Sequence, residues 1–161
     1  METISIYTDG SSLGNPGPGG YGIVLKWRDT RKTASQGYQK TTNNRMELLA
    51  VIESLRMLND FALDKEILVY SDSKYVIDAV EKGWVFNWVK KNFANKANAD
   101  LWRRFLNIYP KYNVKFIWVK GHSGVPENEV CDKLAKKAAE GSDLKIDHGY
   151  IKSTTPGATL L

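Results

Sequence analysis

The chain has 161 residues, 42% hydrophobic and 25% charged, with a net charge of +5 and one cysteine. That size suits one packed core rather than two domains, and no run of about 18 apolar residues is present that would suit a membrane span. Cys131 alone can form neither an intrachain disulfide nor a cysteine zinc cluster, and its apolar helical neighbours suit a buried structural thiol. Met1 leads straight into a strand pattern, with no basic, apolar and cleavage regions before it, so a soluble, cytoplasmic protein is expected.

In chain order, alternating patterns at 3–9, 20–28 and 31–39 predict three strands in an antiparallel meander, with a Gly/Pro-rich turn and then a polar turn at Asp29-Thr30 between them. The spacing of Leu48, Val51, Ile52, Leu55 and Leu58 predicts a helix over 44–58, followed by a strand at 66–70 and a helix at 73–81. An aromatic and basic stretch comes next, then a helix near 100–109, a strand at 114–119 and a helix at 127–140. Strands that first cluster and then alternate with helices imply an α/β fold: a five-stranded mixed sheet, three strands antiparallel and two parallel, with helices on both faces. Residues after Gly141 are rich in Gly, Ser, Thr and Pro, so one domain over 1–141 and a flexible tail over 142–161 are expected.

Two stretches bear on ligands. Gly17-Pro18-Gly19-Gly20-Tyr21-Gly22 matches a dinucleotide fingerprint, but that fingerprint must open a helix and Tyr21–Trp27 has a strand pattern, so the glycines are expected to shape a turn beside Asp9. Residues 82–120 carry nine Lys or Arg against one acid, Asp100, which leaves the rest of the chain net negative. Trp84, Trp88, Phe93 and Trp102 are interleaved there with Lys82, Lys90, Lys91, Lys96, Arg103 and Arg104, a combination suited to a polyanion with bases or sugars to pack against. Taken singly, each Trp fits a core and each Lys a solvated face; together they favour nucleic-acid binding.

Four acids stand out. Asp9 and Asp72 each end an apolar strand pattern, Glu47 closes Thr41-Thr42-Asn43-Asn44-Arg45-Met46-Glu47 at a helix start, and Asp132 lies on the last helix. Each has an ordinary explanation: a turn at Asp9-Gly10, a capping box from Asn44 to Glu47, a helix cap by Asp72, and an i,i+4 pair of Asp132 with Lys136. Jointly they point to one metal site, because ligands collect at the carboxyl ends of strands in open α/β sheets.

These pieces resemble the type 1 ribonuclease H family, the bacterial ribonuclease HI enzymes. The matching segments are Thr8-Asp9-Gly10-Ser11 with Gly14 to Gly22, Thr41 to Leu48, and Ser71-Asp72-Ser73 with Tyr75-Val76. Trp84 with Asn87-Trp88, Trp118-Val119-Lys120-Gly121-His122, Pro126 to Glu129, and Cys131-Asp132 follow in the same order. The resemblance implies a ribonuclease H-like fold and endonucleolytic cleavage of the RNA strand of an RNA·DNA hybrid, leaving 5′-phosphate and 3′-hydroxyl ends. It implies Asp9, Glu47, Asp72 and Asp132 as ligands of two Mg²⁺ ions, with Mn²⁺ as a substitute, and hard oxygen donors suit both metals. His122, in the loop Lys120-Gly121-His122-Ser123-Gly124, matches the family's mobile histidine, and an imidazole is suited to proton transfer or product departure.

For substrate, the resemblance implies Asn15, Asn43 and Asn44 at the minor groove of the hybrid, where short amides read 2′-hydroxyls. It implies Thr42, Lys40 and Asn98 at a DNA-phosphate pocket, and Trp84 and Trp88, with Lys90 and Lys91 nearby, in a basic protrusion that grips the DNA strand. Phe93 stands where many members carry a third Trp, the segment from there to Asp100 is shorter than in well-known bacterial enzymes, and Lys74 replaces a neutral residue beside Asp72. A free-standing, monomeric enzyme without a protein partner is expected. A recombinase or integrase nuclease, or a non-catalytic hybrid-binding module, is the alternative on the same fold.

Overall fold

A computed structural model describes residues 1–121 and 124–155. Three long strands come first, β1 (Thr3–Ser12), β2 (Gly17–Trp27) and β3 (Thr30–Thr41), joined as an antiparallel meander. β4 (Glu66–Ser71) lies parallel to β1 on its other side, and β5 (Asn113–Trp118) lies parallel to β4. A two-residue strand, β6 (Leu144–Lys145), pairs parallel with β3, so the sheet runs β5-β4-β1-β2-β3-β6 and has six strands among the described residues, not the expected five.

The helices are α1 (Asn43–Arg56), α2 (Lys74–Glu81), α3 (Trp84–Lys90), α4 (Ala99–Ile108), α5 (Pro126–Glu140) and α6 (His148–Thr154). The apolar stripe of α1 is buried as its spacing requires, but Met46, Leu49 and Ala50 are buried too. This helix is enclosed by the sheet on one side and by α4 on the other, so it has almost no solvated face. Its N-cap is Thr42, whose Oγ1 accepts from Arg45 N at 3.3 Å, so the ordinary explanation of Glu47 as the end of a capping box from Asn44 does not apply.

Glycines set how closely the helices approach the sheet. At Gly20 a Cβ would lie 2.7 Å from the Ala135 carbonyl oxygen, and at Gly22 it would overlap that of Cys131, so α5 rests directly on the β2 backbone. Gly19, on the opposite face, would put a Cβ 3.1 Å from the Met46 side chain of α1. Gly19 to Gly22 therefore form a helix-packing surface on both faces of β2 and not the expected turn, while Gly17, where a Cβ would overlap the Leu13 carbonyl oxygen, closes the turn that precedes them.

Two further expectations change. The aromatic and basic stretch begins with the short helix α3, after Gly83 in left-handed backbone at φ 75°. The segment after Gly141, expected to be loose, supplies β6 and α6, because Asp147 is drawn into the interior by Arg45.

Candidate metal centre and nucleic-acid interface

The register of the central strands places the first two acids. Tyr7 pairs with Tyr70 at the end of the parallel β1·β4 ladder, so Asp9 and Asp72 each lie two residues beyond the same rung. β1 itself runs on to Ser12 by pairing with β2, so Asp9 marks the end of its parallel pairing and not of the strand. Gly10 lets α1 close on this point, since a Cβ there would overlap the Glu47 backbone nitrogen. The Gly10 amide donates both to Asp9 Oδ1 (3.0 Å) and to Glu47 Oε1. Ser73, not Asp72, caps α2, which leaves the Asp72 carboxylate for the cluster.

Oxygen atoms of Asp9, Glu47 and Asp72 lie within 4.8 Å of one another. No basic side chain pairs with any of the three among the described residues. Burial, then the charge of Asp72, raises the Asp9 carboxyl to about 7, and burial, then the charge of Asp9, raises Glu47 well above the ordinary carboxylate range. Buried, mutually repelling oxygen donors without a cationic partner fit a hard divalent cation, which would relieve both burdens.

Asp132 lines the same cavity of about 260 Å³ but lies outside that tight triad; its Oδ2 meets Lys136 Nζ at 3.1 Å, the i,i+4 pair that its helical spacing allows. Lys120, Asn128, Glu129 and Lys136 also line the cavity and were not singled out from the sequence as site residues. Asn128, Glu129, Asp132 and Lys136 follow the i, i+1, i+4, i+8 spacing of one helical face, a signal that could have found them. Asn128 Oδ1 is buried without a hydrogen-bond partner among the described residues. Gly121 brings the loop after β5 up to Asp72, a Cβ there lying 3.4 Å from Asp72 Oδ2, while His122 is outside the described residues.

The two amides at the start of α1 diverge. Asn43 lines the carboxylate cavity, whereas Asn44 lines a neighbouring groove of about 760 Å³ with Asn15, Thr42 and Asn98. Asn15 Oδ1 accepts from Asn43 N at 3.0 Å and so holds the strand-connecting loop against the helix start. Asn98, left-handed at φ 66°, donates from Nδ2 to the Tyr75 hydroxyl at 3.0 Å. Lys40 is exposed near the end of β3 and does not line the groove.

On α3, Trp84 is 44% exposed with Lys82 over its ring, while Trp88 packs edge-on against buried Trp102 at 5.9 Å and carries Lys96 over its own ring. Lys90 and Lys91 are exposed and make no ion pair among the described residues. Phe93 is buried beneath Arg103, so it serves the core and not the surface. Lys74 stacks on the exposed Trp118 at 4.3 Å, beside Asp72.

Comparison with known proteins agrees with this arrangement. The RNase H family model matches residues 1–140. The chain is 51% identical over 152 residues to a Ribonuclease H of Trichodesmium erythraeum, covering 91% of this chain and 95% of that protein. It is 49% identical over 140 residues to Ribonuclease HI of Helicobacter pylori, covering 87% and 95%. Among solved structures it is similar to LC9-RNase H1, described as a type 1 RNase H with the type 2 active-site motif, at a TM-score of 0.78 and 29% identity over 99% of this chain and 84% of that one. No helix among the described residues is long and apolar enough to cross a membrane. Family match, identity along nearly the whole chain and fold together show that the chain belongs to the ribonuclease H family, as a type 1 enzyme of the bacterial ribonuclease HI kind.

Proposed function

We propose that this protein hydrolyses the RNA strand of an RNA·DNA hybrid by a two-metal-ion mechanism that leaves 5′-phosphate and 3′-hydroxyl ends. The observation that carries the reading is the Asp9, Glu47 and Asp72 cluster, which adjoins a groove walled by Asn44, Thr42 and Asn98 through the first turn of α1. Asp9, Glu47 and Asp72 would hold the ions, with Asp132 turning from Lys136 to join them. Two such Mg²⁺ ions, when bound, supply an activated water and charge stabilisation for the leaving oxygen.

The remaining residues select and hold. Asn43 faces the cavity and Asn44 the groove, so the pair can read 2′-hydroxyls of the RNA strand on both sides of the helix start. Asn15, bonded to the Asn43 amide, joins that pair at the minor groove, whereas Thr42 and Asn98 suit a phosphate of the DNA strand, with the exposed Lys40 two residues before Thr42 to add charge. Trp84 and Trp88 offer packing surface farther along that strand, and Lys90 and Lys91 offer charge. His122 is assigned proton transfer or product release on its sequence position alone. Recombinase-type cutting and non-catalytic binding are not favoured, given the family match and the convergence of three carboxylates.

Incubation with a labelled RNA·DNA hybrid in Mg²⁺ should give 5′-phosphorylated RNA fragments, and EDTA should abolish them. Single-stranded RNA and duplex DNA should stay intact, and comparable cutting of duplex DNA would overturn the hybrid-specific reading.

A further inference from the structure

A single buried guanidinium ties the C-terminal segment to the substrate groove. Arg45, its side chain 2% exposed, donates from Nε to Asp147 Oδ2 (2.8 Å) and from Nη2 to Asp147 Oδ1 (2.9 Å). It donates to Asp100 from Nη1 (2.8 Å) and Nη2 (2.7 Å), and from Nη1 to Asn98 Oδ1 at 3.4 Å, so all five N–H donors are engaged. Asp147 also accepts from the buried Thr41 hydroxyl at 2.7 Å and from Tyr150 N at 3.2 Å, where it caps α6. Gly149 packs directly on this node: a Cβ there would overlap the Asp100 carboxylate and lie 2.8 Å from Arg45 Nη2.

The node carries two acids and one base, so it does not attract phosphate; its role is geometric. Thr41 precedes Thr42, Arg45 follows Asn44, and Asn98 is bonded to Arg45 directly, so three proposed groove residues sit within one residue or one bond of it. Tyr75 holds the other end of the Asn98 amide, which fixes that side chain in its left-handed turn. Loss of Asp147 would leave Arg45 Nε and the Thr41 hydroxyl buried without partners, and the start of α1 would shift to hydrate them.

We propose that Asp147 and Gly149 are positioning residues: the segment after α5 locks the groove in the shape that receives the hybrid, with Asn44 set toward the RNA strand and Thr42 and Asn98 toward a DNA-strand phosphate, and thereby sets hybrid affinity without entering the chemical step. This rests on the hybrid reading above. Asp147→Asn and Gly149→Ala in the full chain test it, with Ile52→Val, a methyl deletion in the core, as the stability control. Hybrid affinity in EDTA, KM and kcat in Mg²⁺, and the nitrogen and proton shifts of the Asn98 side-chain amide are measured well below the lowest unfolding midpoint.

Both variants should weaken affinity and raise KM by roughly five- to tenfold with kcat changed less than about twofold. They should also displace the Asn98 amide signal, while Ile52→Val lowers the midpoint and leaves affinity unchanged. Unchanged affinity and KM in folded variants would overturn the proposal, as would a fall in kcat at constant KM. A wild-type chain that binds no hybrid would instead overturn the hybrid reading itself, so the two failures are distinguishable.

Discussion

Asp9 carries the conflict on which the site depends: it is 8% exposed, shares an amide donor with Glu47 and faces the charge of Asp72. Its carboxyl is raised to about 7 in the fold, against an ordinary value of 3.8. Below about 4 the group is protonated whether the chain is folded or not. Between about 4 and 7 the unfolded chain releases the proton that the folded chain keeps, so metal-free stability falls as pH rises through that window. Asp9→Asn removes this loss. At neutral pH without metal the variant should unfold at a higher temperature than wild type, by roughly 1–2 kcal/mol, and the difference should vanish near pH 4. It should also lose nearly all hybrid cleavage, because the amide cannot supply an anionic ligand. Thermal melts across pH, paired with a cleavage assay, check both halves; a less stable variant at pH 7 would show that Asp9 is held by contacts other than its neighbouring acids.

At the scale of elements, helix α5 and helix α3 make separate contributions. The α5 helix brings Asp132 to the cavity because Gly20 and Gly22 of β2 offer no side chain to hold it off. Gly22→Ala would drive a methyl into the Cys131 carbonyl, one residue before Asp132, and should cost about 1–3 kcal/mol by overpacking while lowering cleavage more than hybrid binding. Denaturant melts and a comparison of kcat with KM measure this; an unaltered kcat would mean that α5 tolerates the displacement. Helix α3 should act on binding alone. Replacing Lys90 and Lys91 together with Ala should weaken hybrid affinity and make the slope of log affinity against log salt shallower by roughly 0.7 to 0.9 per lost contact. Trp84→Ala should weaken affinity with little change in slope, since its exposed ring contributes packing. An unchanged slope in the double lysine variant would identify those residues as a solvated face.

For the whole molecule, metal binding and folding share one site. Divalent cation that binds the folded cluster and not the unfolded chain must stabilise the fold, so Mg²⁺ should raise the unfolding midpoint. The rise should be larger at pH 8 than at pH 5.5, because Asp9 and Glu47 must release protons before they can act as anionic ligands. A midpoint indifferent to Mg²⁺ at pH 8 would count against the carboxylate cluster as the metal site. Much of this molecule was readable in the chain itself. Period-2 and period-3.6 patterns are local consequences of burial, so the meander, α1, β4, α2, α4, β5 and α5 could be placed within a few residues, and the acids picked out from the chain line one cavity. Left to tertiary structure were the features that depend on what lies across space. Glycines read as a turn proved to be the surface on which α5 rests, because closeness between a helix and a strand has no local signature. The nearness of Asn98 to Asn44 across the groove likewise depends on distant partners, whereas the pairing of Asp132 with Lys136 was already legible in their i,i+4 spacing. The clearest case is Asp147: in a stretch with little periodicity it resembled any exposed acid, and only the buried Arg45, 102 residues away, makes it part of the core.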